Sequence, residues 1–411
     1  MEKAVLVTVD LKKEKAWPIE YRASELKELA RSCGASAEGE VLCRREKPTP
    51  DLFIGKGKFE ELVSLCGRKR IDLVIFNNDL TPTQLRNLEK GLGDIKVIDR
   101  TQLILDIFSL HAKSMEGKIQ VELAQLEYLL PRLTGRGIQL SRLGGGIGTR
   151  GPGEKILEYD RRRIRQRISK LKGELADLEK RRQALRKRRK DAMLTTIAIV
   201  GYTNAGKTTL LNRLTNSKKL TADKLFSTLD PVGRTYVLPN NLKVLFHDTV
   251  GFLYNLPHHL IESFKATLEE VKDADLLIHV LDSSNTEIHE LDGAVYSVLK
   301  ELNAENKTII NVLNKIDRVS DINYLRRLNR DFRNSVLVSA LNGQGIELLI
   351  DKITDLLSGL VTEIKIELPN IRMDMVNLIY EHGKVTKRVD GPDSVYIEAI
   401  IPLRIKIFLD T

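Results

Sequence analysis

Gly201-Tyr-Thr-Asn-Ala-Gly206-Lys207-Thr208 follows the apolar run Thr196-Ile-Ala-Ile-Val200 and leads into a helical pattern from Thr209. Strand, glycine-rich turn and helix in that order are the setting of a GxxxxGK[ST] phosphate loop. The glycines let the chain turn sharply. Successive N–H groups of Gly201, Tyr202, Thr203, Asn204, Ala205, Gly206 and on to Thr209 can then converge on phosphate at a helix N-terminus. Lys207 adds positive charge at the β/γ oxygens, and the Thr208 hydroxyl supplies a ligand for Mg²⁺. A glycine loop can also be a plain tight turn, but the complete pattern in this setting predicts a nucleoside-triphosphate site.

Three further segments follow in the order a GTPase requires. Asn314-Lys315-Ile316-Asp317 comes directly after the buried-strand run Thr308–Leu313. A carboxylate at Asp317 can accept from both N1–H and N2–H₂ of guanine. Adenine offers no such donor pair, so the unpaired carboxylate would cost roughly 1–3 kcal/mol. Ser339-Ala340, after the strand-like Ser335–Val338, is placed to close over the base through its backbone. Between the two lies Asp248-Thr249-Val250-Gly251, following Leu242–His247. Asp248 is expected to hold Mg²⁺ through water and the Gly251 N–H to sense the γ-phosphate. His247 alternates away from Asp248 along its strand and reads as structural rather than as a base.

Lys207, Thr228 and Gly251 are the candidate catalytic groups. Phe226-Ser-Thr228-Leu-Asp-Pro231 reads as the first switch, with Thr228 the favoured second hydroxyl on Mg²⁺ and Ser227 and Thr235 its rivals. Phe252 stands where many GTPases place a glutamine that orients the attacking water. A phenyl ring makes no such hydrogen bond, so low turnover alone and stimulation by a partner are expected.

The chain has 411 residues, 42% of them apolar, enough for two to four domains with real cores. Its three cysteines lack CxxC spacing, and no run of eighteen apolar residues occurs. Reduced thiols and no membrane span are expected. The net charge of +10 is concentrated. Lys155–Asp191 holds sixteen Lys or Arg against six Asp or Glu, so the remainder is neutral overall. One-signed charge at that density favours phosphate backbones.

Residues 1–113 read as a small α/β domain. Strands are expected at Ala4–Val9, Gly39–Cys43, Leu73–Phe76 and Lys96–Asp99, and helices at Ala23–Cys33, Lys58–Cys66 and Thr83–Lys90. Gly55-Lys-Gly-Lys58 is glycine- and lysine-rich before a helix, yet falls far short of a phosphate loop and reads as a helix-start turn. Residues 114–193 read as an antiparallel helical hairpin. Ile164, Ile168, Leu171, Leu175, Leu178 and Leu185 form a heptad seam with Arg182 filling the missing position, and Ile119, Leu123, Leu126 and Leu130 face it. The connecting loop, 132–153, carries eight glycines between 133 and 153, with Arg136, Arg142 and Arg150 among them and Arg132 just before. Regularly spaced arginines suggest a loop that folds onto RNA. Residues 194–360 alternate strand and helix, a P-loop GTPase domain with a mostly parallel sheet. Residues 361–411 read as a small α+β domain, with strands at Glu363–Leu368, Val385–Val389 and Val395–Ile400 around a helix at Met373–His382.

On these residues the chain resembles the HflX family of translational GTPases over nearly its full length. The similarity rests on Ile54–Lys58, Leu80–Asn87, Gly144–Glu154 and the run Asp160-Arg161-Arg162-Arg163, together with the guanine-nucleotide set. Resemblance implies GTP-dependent binding to the large ribosomal subunit and its RNA, with the hairpin loop and Arg161, Arg162 and Arg163 on RNA. It further implies splitting of stalled or idle ribosomes and GTPase stimulation by the ribosome; a monomer is expected, in the cytoplasm with some of the protein at the inner membrane surface. Val232-Gly233 departs from the small polar residues expected after the first switch. Two other readings share most of these features: a GTPase acting in ribosome assembly or on another structured RNA, and a nucleotide-gated RNA scaffold with negligible turnover.

Overall fold

The computed structural model describes residues 2–12, 17–93, 95–133, 152–191, 194–215, 232–252, 265–403 and 405–406. It divides into two compact units. One is built on the described residues up to Lys180 together with Lys265, and the other on the remaining described residues from Arg181 onward.

The first unit contains a four-stranded parallel sheet in the order β2-β1-β3-β4, formed by β1 (Glu2–Leu11), β2 (Ala35–Arg45), β3 (Leu73–Phe76) and β4 (Lys96–Ile98). Helices α1 (Ile19–Ser32), α2 (Lys56–Lys69) and α3 (Pro82–Gly91) connect these strands. Thr81 caps α3 in a reciprocal capping box with Gln84, with Pro82 at the first helical position. A fourth helix, α4 (Arg100–His111), has no counterpart in the expected elements. Leu103, Ile104, Leu105, Ile107 and Phe108 are all buried, so it carries no one-sided apolar stripe for a periodicity to reveal.

Helix α5 (Met115–Arg132) and the 40-residue α6 (Pro152–Asp191) are the two arms of the hairpin. Ile119, Leu123 and Leu171 form its buried centre, flanked by Leu126, Ile168, Leu175 and Leu178. Arg167–Glu122 and Lys172–Glu127 ion pairs border that seam.

The second unit holds a six-stranded sheet in the order β10-β9-β8-β5-β7-β6. Its strands are β5 (Thr195–Gly201), β6 (Val232–Val237), β7 (Lys243–Asp248), β8 (Leu276–Asp282), β9 (Ile309–Asn314) and β10 (Ser335–Leu337). All pairings are parallel except that of β6 with β7. Helices α7 (Lys207–Leu214), α8 (Lys265–Asp273), α9 (Ile288–Glu301), α10 (Ile322–Asp331) and α11 (Ile346–Leu356) alternate with the strands. Ile197, Ile199, Phe246, Ile278, Val280 and Val312 fill the core. This is the mostly parallel GTPase sheet. The C-terminal segment adds an antiparallel sheet, β11-β13-β12 (Val361–Pro369, Ser394–Pro402, Lys384–Asp390), covered by α12 (Met373–His382). Among the described residues no helix is long and apolar enough to cross a membrane.

Candidate guanine-nucleotide site

Strand β5 is central in the six-stranded sheet, with β7 on one side and β8 on the other, and the glycine loop leaves from its C-terminal end. That is the point where an open parallel sheet offers a crevice to ligands. Gly206 has φ 99°, and a Cβ there would collide with the Asn314 side-chain amide, so both conformation and space demand glycine. Asn204 also adopts positive φ, as asparagine tolerates. Lys207 begins α7 and is buried; its ammonium is held by the carbonyls of Tyr202 at 2.7 Å and Gly201 at 3.1 Å. Burial pushes its pKa down to about 8, with Asp248 opposing that shift and Lys315 reinforcing it.

Thr208 Oγ1 donates to Asp248 Oδ2 at 2.8 Å, and both residues are buried. A hydroxyl and a carboxylate converging beside a phosphate loop form a donor set that fits a hard divalent cation such as Mg²⁺. Thr249 donates its hydroxyl to the Ile199 carbonyl at 2.7 Å, so that side chain is occupied within the sheet rather than directed at a ligand. Val250 is buried. Gly251 lies against the loop: a Cβ there would stand 2.9 Å from Lys207 Nζ.

Phe252 takes a course that no pattern in the sequence foretold. Its N–H donates to the Gly201 carbonyl at 3.1 Å, and its carbonyl accepts from the Thr203 N–H at 2.9 Å. The side chain is buried, 3% exposed. The residue at the usual glutamine position is therefore tied to the phosphate loop by backbone and packed inward, not offered to water.

The Asn314–Asp317 segment and the Ser339-Ala340 turn meet at the ends of β9 and β10. Asn314 Nδ2 donates to the Ala205 carbonyl at 2.8 Å, and its Oδ1 accepts from the Ala340 N–H at 3.0 Å. One side chain thus bonds the glycine loop to the Ser339-Ala340 turn. Lys315, at φ 62°, pairs with Asp282 at 2.7 Å. Ser339 Oγ donates to Asp317 Oδ1, and Asp317 is exposed at the strand end. Asp282 and Arg213, which reaches the Ala340 carbonyl at 3.2 Å, were not singled out in the sequence. Neither belongs to a contiguous motif, so only tertiary placement reveals them.

Other candidates lie elsewhere. Phe226, Thr228 and its rival Ser227, as well as Arg136, Arg142 and Arg150, fall outside the described residues. Thr235 sits in β6 opposite Leu245, three residues from the Val232–Asp248 pair and so about 10 Å along the strand, which removes it as a rival for the cation. Arg162 and Arg163 are exposed on α6, Arg162 with its guanidinium 5.7 Å from the Tyr159 ring centre, and Arg161 is half-buried. Arg132 is not a free RNA-facing arginine. It bonds the Leu80 carbonyl and Asp99, each at 3.0 Å, and lies 3.4 Å over the Tyr128 ring. His247 faces Glu270 of α8, with Nε2 3.4 Å from Oε2.

Known proteins resemble this chain along nearly its whole length. Residues 196–315 match the model of a "50S ribosome-binding GTPase", residues 20–109 and 111–189 the N-terminal and middle regions of a GTP-binding GTPase, and residues 325–402 the HflX C-terminal domain. The GTPase HflX of Caldanaerobacter subterraneus subsp. tengcongensis is 46% identical over 98% of this chain and 92% of that protein. The chain belongs to the HflX family. The Escherichia coli (strain K12) GTPase HflX is 39% identical over 98% of this chain and 94% of its own length. A GTP-binding protein of Sulfolobus solfataricus, solved with GDP, shares 27% identity over 88% of this chain and all of that one, with a TM-score of 0.45. As an HflX GTPase, the protein is a GTP hydrolase that binds guanine nucleotide.

Proposed function

We propose that the protein binds the large ribosomal subunit in its GTP state and splits stalled or idle ribosomes, with hydrolysis stimulated by the ribosome. The observation that carries this reading is Phe252. Its buried, backbone-tied position leaves the site without a side chain to orient water, so a partner must complete it. The family model described as a 50S ribosome-binding GTPase supports the ribosome as that partner. The +10 excess of Lys155–Asp191 supports a polyanion.

In this reading the residues divide the work. The loop from Gly201 to Thr209 cradles phosphate, and Lys207 turns from its own loop carbonyls to the β/γ oxygens. Asp317 reads guanine while Asn314 and Lys315 hold the loops around it, and Ser339 and Ala340 close over the base. Thr208 and Asp248, the latter through water, would hold Mg²⁺, joined by Thr228; the ion neutralises charge on the phosphates. Gly251 senses the γ-phosphate through its N–H. On the RNA side, Arg136, Arg142, Arg150, Arg161, Arg162 and Arg163 contact ribosomal RNA. The chain then works as four parts, 1–113, 114–193, 194–360 and 361–411, as a cytoplasmic monomer.

Sucrose-gradient profiles of intact ribosomes with protein and GTP test the proposal. A shift from joined ribosomes to separate subunits is expected, with phosphate release rising when ribosomes are added. Binding only to free large subunits, without any shift, would point to ribosome assembly instead.

A further inference from the structure

We propose that Arg182 and Glu269 form the contact through which the nucleotide state reaches the basic helix α6. The heptad seam of α6 places leucines at 171, 175 and 178 and then Arg182 where an apolar residue belongs. Leu171, Leu175 and Leu178 pack with α5 residues Ile119, Leu123 and Leu126. Arg182 turns to a different element. Its Nη1 lies 3.7 Å from Glu269 Oε2 on α8, with the two side chains only 21% and 17% exposed. An ion pair this sheltered is less screened by salt than one on an open surface.

Helix α8 is also tied to the nucleotide site. Glu270, the next residue, places Oε2 3.4 Å from His247 Nε2. His247 is bonded through its peptide to Asp248, which accepts from Thr208 of the phosphate-loop helix at 2.8 Å. A short chain of contacts therefore runs from Thr208 through Asp248 and His247 to Glu270 and Glu269, and ends on Arg182. α6 continues without a break from Arg182 back through Arg163. Spatial intermediacy alone does not make a pathway; an element biased from both ends does. α8 is that element, held by His247 at one residue and by Arg182 at its neighbour.

This inference rests on the reading that the GTP form grips ribosomal RNA, and the experiment separates the two. The full chain is compared with Arg182→Gln, Glu269→Gln and the charge-exchanged pair Arg182→Glu with Glu269→Arg. Affinity for large ribosomal subunits is measured with GDP and with a non-hydrolysable GTP analogue, and nucleotide affinity is measured without ribosomes. Each single variant should shrink the GTP-over-GDP affinity ratio at least fivefold, leave nucleotide affinity within twofold, and be restored by the exchanged pair. Unchanged ratios in the single variants, or an exchanged pair as deficient as they are, would overturn it. Should the parent chain show no ratio at all, the ribosomal reading fails. Amide exchange over residues 165–182 in the free protein then decides the coupling: a GDP-versus-analogue difference erased by Glu269→Gln upholds it, and no such difference ends it.

Discussion

Two loops of this protein join glycine and lysine ahead of a helix, and they differ in what surrounds the lysine. At Gly55-Lys-Gly-Lys58 the chain enters α2, and Lys58 pairs with Glu61 at 2.7 Å, the two side chains 40% and 53% exposed. At Gly201–Thr208 the lysine is 7% exposed, ringed by its own loop carbonyls, and its pKa falls to about 8. The first loop leaves its charge in water with a carboxylate already beside it. The second keeps a poorly solvated cation next to converging N–H groups, where an anion gains most. Glycine and lysine content does not distinguish them. The burial imposed by the central strand β5 does.

Substituting the two lysines tests that contrast most directly. Lys207→Ala should weaken GTP binding by roughly 2–5 kcal/mol, a rise in Kd of about 30-fold or more by calorimetry. Some salt-sensitive RNA affinity should persist. Asp317→Ala should cost about 1–3 kcal/mol in GTP affinity while leaving ATP binding almost unchanged, so a competition assay would show guanine preference collapsing. The pH dependence follows from burial. In the free protein Lys207 loses its proton near pH 8, whereas bound polyphosphate holds it charged and raises that pKa. Above pH 8 binding must therefore take up a proton, and Kd should climb by up to about tenfold per pH unit, with a flat profile below about pH 7. A flat profile through pH 9.5 would mean that the lysine is better solvated than its surroundings indicate. Lys58→Ala should change GTP affinity less than about twofold and stability by under about 0.5 kcal/mol, because an exposed i,i+3 pair contributes little.

Much of the fold was legible because its signals are local. Apolar runs marked β5, β7 and β9, the heptad marked both hairpin arms, and Met373–His382 coincides with α12. Strand ends moved by a few residues; β2 extends to Ala35–Arg45 where Gly39–Cys43 was expected. α4 was illegible because its apolar residues crowd consecutive positions, Leu103–Leu105 and Ile107–Phe108, and so blur the one-sided stripe that periodicity needs. Around the phosphate loop, contiguous motifs singled out Lys207, Asp248 and Asn314, whereas the contacts of Asp282 and Arg213 and the inward docking of Phe252 came only from the fold. Arg132 shows the same limit from the other side. It stands just before an arginine-bearing loop, and only the fold shows that its guanidinium is taken by Asp99, which is fully buried and needs a cation.

The order of residues by itself determined that a GxxxxGK[ST] loop, a DxxG segment and an NKxD segment occur in one chain at GTPase spacing, since each is a pattern a few positions long. Folding decided which groups are already occupied: the side chains of Thr249 by β5, Lys315 by Asp282 and Arg182 by α8, and the backbone of Phe252 by the glycine loop. Those partners lie far apart along the chain, and no spacing rule reaches that far. A buried polar group takes whichever partner the packed elements bring within hydrogen-bond distance.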